Sequence, residues 1–169
     1  AIIEFDLTGR ITENLRASVS YAYTDALVPN ARNPFPASAN CPACGTIQPV
    51  YIIYTPPHAA SASLDYNYPL SFADLRFHVD ANFSSGTQSF EQSAEKTDDA
   101  FLVNARVSLA DWQVGEGQRL GVSLWSRNLL DKAYIYRLSV EGRSGANAIG
   151  DYANFNEPRT FGLEFNLRY

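Results

Sequence analysis

The chain has 169 residues, a formal net charge of −5 and a pI near 4.9, which bound it to one domain or a piece of one and leave no general positive field for a nucleic-acid backbone. Hydrophobic residues make up 46% and aromatics 13%, against only 18% charged, which is enough apolar matter to exclude intrinsic disorder. No apolar run approaches the roughly 18 residues of a membrane helix, so any passage through a bilayer must use strands.

The chain opens in strand-like alternation, with Ile3, Phe5, Leu7 and Gly9 on one side of the pleat. No initiator Met, basic region with a following apolar stretch, or cleavage site precedes it, so no signal peptide is visible and a longer parent protein is expected. A short turn near Ile11–Asn14 leads to Leu15, Ala17, Val19, Tyr21 and Tyr23. A long connection near Val28–Val50 follows, then Ala60, Ala62, Leu64, Tyr66 and Tyr68. A second short turn at Pro69–Phe72 precedes Leu75, Phe77, Val79, Ala81 and Phe83, and a second long connection spans Gln88–Asp98. Phe101, Val103, Ala105, Val107 and Leu109 run into a third short turn at Asp111–Gly117, where Gly115 and Gly117 supply turn chemistry. Leu120, Val122 and Leu124, a third long connection at Ser139–Asn156, and the final Phe161, Leu163, Phe165, Leu167 and Tyr169 complete seven expected strands.

None of these alternating positions carries a charge, whereas thirteen charged residues occupy the intervening ones, among them Glu4, Asp6, Arg16, Asp65, Arg76, Asp80, Arg106, Glu164 and Arg168. That segregation fixes the register, because a slip of one residue would exchange the faces. Two environments explain it: a soluble β-sandwich with the apolar face packed on a second sheet, or a transmembrane barrel with that face on lipid. Repeating units of about ten residues, long enough to cross a bilayer when tilted, favour the barrel. So do Tyr21 and Tyr23 at the long-connection end and Tyr66, Tyr68 and Tyr169 at the short-turn end, like two aromatic girdles. Short turns at one end of the sheet and long loops at the other are the asymmetry of outer-membrane barrels.

Gly121-Val122-Ser123-Leu124-Trp125-Ser126-Arg127-Asn128-Leu129-Leu130-Asp131-Lys132-Ala133-Tyr134 resembles the "N-L-F-D-K-x-Y" element near the end of TonB-dependent outer-membrane receptors. Pro158-Arg159-Thr160-Phe161-Gly162-Leu163 resembles the same family's "P-R-x-F-G-L" ending. Phe5 to Leu15 with Ser20-Tyr21-Ala22-Tyr23-Thr24-Asp25-Ala26 is similar to its strand–turn–strand text, and Thr55-Pro56-Pro57-His58 to a further strand start. Leu130 stands where Phe is common, and the chain ends on Tyr rather than Phe.

The resemblance implies an all-β, antiparallel transmembrane β-barrel segment, with residues 1–169 supplying the last seven strands of a barrel of about 22, the plug domain and earlier strands being absent. It implies a multi-pass protein of the Gram-negative outer membrane that imports a scarce, bulky ligand, most often an iron–siderophore complex, with cobalamin, haem and oligosaccharide open. Its partners would be outer-membrane lipid, the TonB complex through a missing N-terminal region, and the barrel-assembly machinery, which reads a C-terminal aromatic such as Tyr169. The competing readings are a passive porin-like or adhesin-like barrel and a soluble sandwich that binds carbohydrate through its long loops.

No nucleophile–base spacing, phosphate loop or paired-carboxylate geometry stands out, so neither an enzyme nor a cofactor is expected. Cys41 and Cys44, the only cysteines, read most simply as a local disulfide in the first long loop; a zinc site would need two more ligands and a redox pair a helix start. His78 falls on the charged face with Arg76 and Asp80, and His58 near the long-loop rim, both in structural settings. Asn128–Asp131 reads as a bulge or turn whose Asn and Asp bond local backbone. For a transporter, ligand contacts are expected from Arg137, Arg143, Tyr152, Asn154 and Phe155 of the last long loop and from Arg32 and Phe35 of the first. Arginines would suit an anionic chelate and aromatics would supply stacking surface.

Overall fold

A computed structural model of the chain describes residues 1–32, 45–91, 93–139 and 152–169. Eleven strands appear in chain order: β1 (Ile2–Arg10), β2 (Leu15–Thr24), β3 (Leu27–Arg32), β4 (Ile47–Tyr51), β5 (His58–Pro69), β6 (Asp74–Ser84), β7 (Ala100–Gly115), β8 (Gln118–Arg127), β9 (Ile135–Ser139), β10 (Tyr152–Phe155) and β11 (Thr160–Arg168). Seven of them form one antiparallel sheet in the order β1-β2-β5-β6-β7-β8-β11. These are the seven strands that alternation marks in the sequence. The other four form two ribbons, β3–β4 and β9–β10, set within the first and third long connections.

The ribbons replace the plain loops expected at Val28–Val50 and Ser139–Asn156. Their text hides them, because β3 and β4 are short and each contains a proline, Pro29 and Pro49. Pro29 cannot donate to a ladder, and the register of the first ribbon shifts between Val28 and Ala31.

In the main sheet the two faces are continuous across strands. Leu7 pairs with Val19, Val19 with Ala62, Ala62 with Ala81 and Ala81 with Val103, an uncharged row. A polar row on the opposite face runs Arg16, Asp65, His78, Arg106, Trp125 and Gly162. The apolar face has no protein partner: Leu7 is 60% exposed, Phe165 66% and Phe5 53%, and Ala73 is the only buried apolar residue among those described. A sandwich would bury that face against a second sheet, and no second sheet lies on it among the described residues. The arrangement is that of an open portion of barrel wall, with one apolar and one charged face.

The third short turn is tighter than the sequence suggests. β7 continues through Asp111 to Gly115, leaving only Glu116 and Gly117 to turn, with Gly117 at φ +74°, which glycine adopts freely. Asp111 is a bulge: Leu109 faces Val122 and Trp112 faces Leu120, so β7 carries one residue more than β8. Asp111 takes φ 56°, and the inserted residue restores Trp112 to the apolar face, where its ring meets the Phe72 edge at 6.4 Å. On the other face its carboxylate receives Arg76 at 2.9 Å, with Arg119 at 3.8 Å and Arg168 at 4.0 Å, gathering three strands near the short-turn end.

Because each neighbour in a seven-stranded antiparallel sheet reverses direction, its two edge strands, β1 and β11, run the same way. Val79 lies at mid-length of β6 on the apolar face, opposite Leu64 and Ala105. Val79→Arg is expected to cost about 2–4 kcal/mol and to impair assembly if that face meets lipid. Asp80→Asn, on the charged face, should be mild. Equal tolerance of the two in an outer-membrane assembly assay would reverse the assigned faces.

Candidate functional site

The sheet's charged face and the connections at its long-loop end are the two surfaces that carry polar chemistry. They meet at Asn128. This residue is only 5% exposed and sits at φ 50°, a left-handed turn that asparagine tolerates better than most side chains. Its amide nitrogen donates to the carbonyls of Lys132 at 2.9 Å and Glu157 at 3.1 Å, and its side-chain oxygen accepts from the Lys132 amide at 3.0 Å. Its own backbone N–H donates to Asn104 Oδ1 of β7 at 3.1 Å. Asp131, also at positive φ, accepts from the Arg159 amide at 3.2 Å, and Arg159 Nη1 reaches the Leu129 carbonyl at 3.4 Å. The Asn-Leu-Leu-Asp-Lys text is therefore a clasp that turns the chain out of β8 and ties it to the entry of β11, the backbone-bonding role expected of it.

Beyond the clasp, Asn156 fixes the start of the second ribbon by accepting the Tyr134 amide at 2.8 Å and donating to the Lys132 carbonyl at 3.0 Å. On that ribbon Arg137 faces Asn154, Ser139 faces Tyr152 and Ile135 faces Phe155. Four of the expected ligand residues, Arg137, Tyr152, Asn154 and Phe155, thus come together on β9–β10. Tyr152 and Phe155 are open to solvent at 55% and 62%. Arg32 ends β3 on the other ribbon, and no contact among the described residues joins it to Arg137. Phe35, Arg143, Cys41 and Cys44 lie outside the described residues. Tyr169 follows β11 and is fully exposed.

On the charged face, polar side chains bond chiefly to one another. Ser18 meets Ser63 at 2.7 Å, Ser20 meets Ser61 at 2.6 Å, and Ser123 donates to Ser108 at 2.9 Å. His78 lies between Asp65, 2.7 Å from Nδ1, and Asp80, 3.5 Å from Nε2. Asp80 Oδ2 also accepts from Asn82 at 2.7 Å and Asn104 at 2.8 Å, while Arg106 pairs with Glu164 at 2.5 Å. These pairs stay solvent-accessible, so each adds little to stability and more to the shape of the wall. His58 sits at the long-loop end beside Tyr23, its Nδ1 2.9 Å from the Tyr21 hydroxyl, as a girdle residue on the apolar face.

Trp125 is the residue that sequence reasoning left unassigned. It faces the charged side across from Gly162, and a Cβ at Gly162 would fall 2.1 Å from its ring. The indole therefore lies over a glycine that leaves room for it, and the Arg127 guanidinium sits 5.4 Å from its ring centre. His78, Asp80, Asn104, Arg106 and Glu164 surround this shelf in an open cavity of about 400 Å³. It combines an open aromatic face with two guanidinium groups, an imidazole and two carboxylates.

Two substitutions probe these supports. Asn128→Ala removes three side-chain hydrogen bonds at a left-handed residue, and should lower stability by about 2–4 kcal/mol, whereas Leu130→Phe should be neutral. The midpoint for heat-induced loss of the folded form on a gel reads the difference. Gly162→Ala should cost about 1–3 kcal/mol by overpacking against Trp125, and that cost should vanish in a Trp125→Ala background.

The family model described as TonB dependent receptor-like, beta-barrel, matches residues 3–129. No curated protein matches the sequence. Among solved structures, the ferric yersiniabactin uptake receptor FyuA from Yersinia pestis superposes with a TM-score of 0.65 at 13% identity, over 96% of this chain and 22% of that one. The siderophore receptor PiuA from Acinetobacter baumannii gives 0.64 at 19% identity, over 98% of this chain and 21% of that one. The chain thus spans about a fifth of the length of each, and at these identities the likeness is one of fold. With an open antiparallel sheet of segregated faces, its short turns at one end and laced long connections at the other, the chain belongs to the family of TonB-dependent receptor-like β-barrels.

Proposed function

We propose that this chain is the C-terminal part of the barrel of an outer-membrane receptor that takes up a scarce, bulky ligand, an iron–siderophore complex first among the candidates. The observation that carries the reading is the unpartnered apolar face of a sheet whose other face is charged, in a chain of this family. Its edges add support. With β1 and β11 running the same way, antiparallel closure takes an odd number of further strands, as a barrel of about 22 would supply. The plug, the TonB-coupling region and the earlier strands would belong to the rest of the longer protein.

In this reading lipid covers the apolar face and Tyr169 is the aromatic presented to the barrel-assembly machinery. The long connections face outward from the cell. Arg32, Arg137, Tyr152, Asn154 and Phe155, with Phe35 and Arg143, contribute to capture, the arginines by pairing with an anionic chelate and the aromatics by stacking. Trp125 with Arg127 offers a second station lower on the wall. The two structural neighbours, a ferric yersiniabactin uptake receptor and a siderophore receptor, favour a siderophore over the alternatives. TonB would drive release inward.

The test is uptake of labelled iron from a panel of ferric siderophores by cells carrying or lacking the full-length gene, with and without a proton-motive force. Energy-dependent uptake of one ferric siderophore, lost on deletion, is the expected result. Uptake that survives collapse of the force would favour the passive barrel, and no change on deletion across the panel would remove the siderophore assignment. Arg137→Ala should weaken capture by roughly tenfold while the amount of folded receptor stays unchanged.

A further inference from the structure

We propose that the connection between β6 and β7, through its described residues 85–91 and 93–99, is a keystone that couples the β3–β4 ribbon to the β9–β10 ribbon, so that the two ribbons respond as one body. The inference rests on hydrogen bonds among the described residues and holds whatever the ligand is. On one side, the Tyr51 amide of β4 donates to the Glu91 carbonyl at 2.9 Å, and the Tyr54 amide to the Gln88 carbonyl at 3.1 Å. On the other, the Ile135 amide of β9 donates to Asp98 Oδ2 at 2.8 Å, and the Asp98 amide returns a bond to the Ile135 carbonyl at 3.1 Å. The Leu138 amide donates to Ser89 Oγ at 3.0 Å. Tyr51 of one ribbon, with Tyr54 just beyond it, and Ile135 and Leu138 of the other therefore bond the same segment through backbone groups.

The segment is built to transmit that restraint. Its neck is closed by the Gly86 amide on Asp99 Oδ1 at 2.7 Å, the Thr87 amide on Thr97 Oγ1 at 3.0 Å, and the Thr97 amide on the Thr87 carbonyl at 2.9 Å. A bridge between Gln88 and Lys96 continues the pairing. A Cβ at Gly86 would lie 2.0 Å from the Thr97 carbonyl oxygen, so the two arms approach as closely as only glycine permits. The base is joined to β5 by the His58 amide donating to Ser85 Oγ at 3.0 Å and the Ser85 amide to the His58 carbonyl at 2.9 Å. Gln88, which accepts from Tyr54 just beyond β4, and Ser89, which accepts from Leu138 of β9, are each only 8% exposed. An isolated two-stranded ribbon is marginal in water, so β3–β4 and β9–β10 owe much of their order to this shared neighbour. A ligand that engages Arg137 on one ribbon thereby acts on Arg32's ribbon through the keystone.

Hydrogen exchange by mass spectrometry on the full-length receptor tests this, with peptides covering residues 49–55 and 134–139. Asp98→Ala removes the acceptor for Ile135 and touches nothing on β3–β4. The expected result is exchange faster by roughly tenfold in 134–139 together with a several-fold rise in 49–55, and return of both to the parent rate in Asp98→Asn. Acceleration confined to 134–139, with 49–55 unchanged, would overturn the coupling and leave an ordinary local bond. Gly86→Ala gives an independent reading, because it opens the neck without contacting either ribbon and should accelerate both peptides. Should Asp98→Ala fail to assemble, Ser89→Ala is read on the same two peptides by the same criterion. Thr12→Ala, which removes the acceptor for the Asn14 and Leu15 amides at the far end of the sheet, should leave both peptides unchanged.

Discussion

In hydrocarbon no water completes a backbone hydrogen bond, so a strand that crosses lipid must find its partners within the sheet. That constraint organises the molecule. It requires long, matched strands in strict antiparallel neighbourhood, and the five inner strands of the main sheet each have a partner on both sides. Once pairing is fixed, the pleat sends alternate residues to opposite environments, and every side chain inherits its setting from its position along a strand. Irregular backbone is confined to the ends. The Asp111 bulge lies beside a turn, and the left-handed residues Asn128 and Asp131 lie where the chain has already left β8.

The two faces are stabilised differently. The apolar one has no protein partner among the described residues, and its side chains stay open along the strands. The charged one relies chiefly on reciprocal polar contacts, such as the serine pairs and the His78 arrangement, with Trp125 over Gly162 as an aromatic exception. Near the short-turn end, the arginines around Asp111 draw β6, β8 and β11 together. At the long-loop end the same task falls to uncharged groups, with Asn128 and Asn156 filling carbonyls and amides that strand pairing has released.

What could be read in the sequence follows from the same physics. The seven long strands were legible because an apolar and a charged face on one sheet impose period two with little tolerance. The ribbons were not, since β3 and β4 are short and interrupted by Pro29 and Pro49. The Asp111 bulge was hidden by Gly115 and Gly117, which drew the turn too wide, although the step from Leu109 to Trp112 already broke the alternation. Trp125 could not be placed, because its partner Gly162 is adjacent only through the register of β8 and β11. Of the ligand residues, Arg137, Tyr152, Asn154 and Phe155 shared a loop in the text and share a ribbon in the fold, whereas Arg32 stands apart. The lacing of the loops was beyond reach, because it is made mostly of backbone groups, which carry no sequence signature.

The common direction of β1 and β11 also governs how this sheet could associate with itself. A second copy standing the same way up would have to join β11 to β1 in parallel, against the pattern of every other seam. Antiparallel seams between copies need a twofold axis in the membrane plane, β1 meeting β1 and β11 meeting β11. One copy would then be inverted, with its long connections on the side of the other's short turns. A homotypic barrel of this sheet would thus have two equivalent ends, each carrying both kinds of connection.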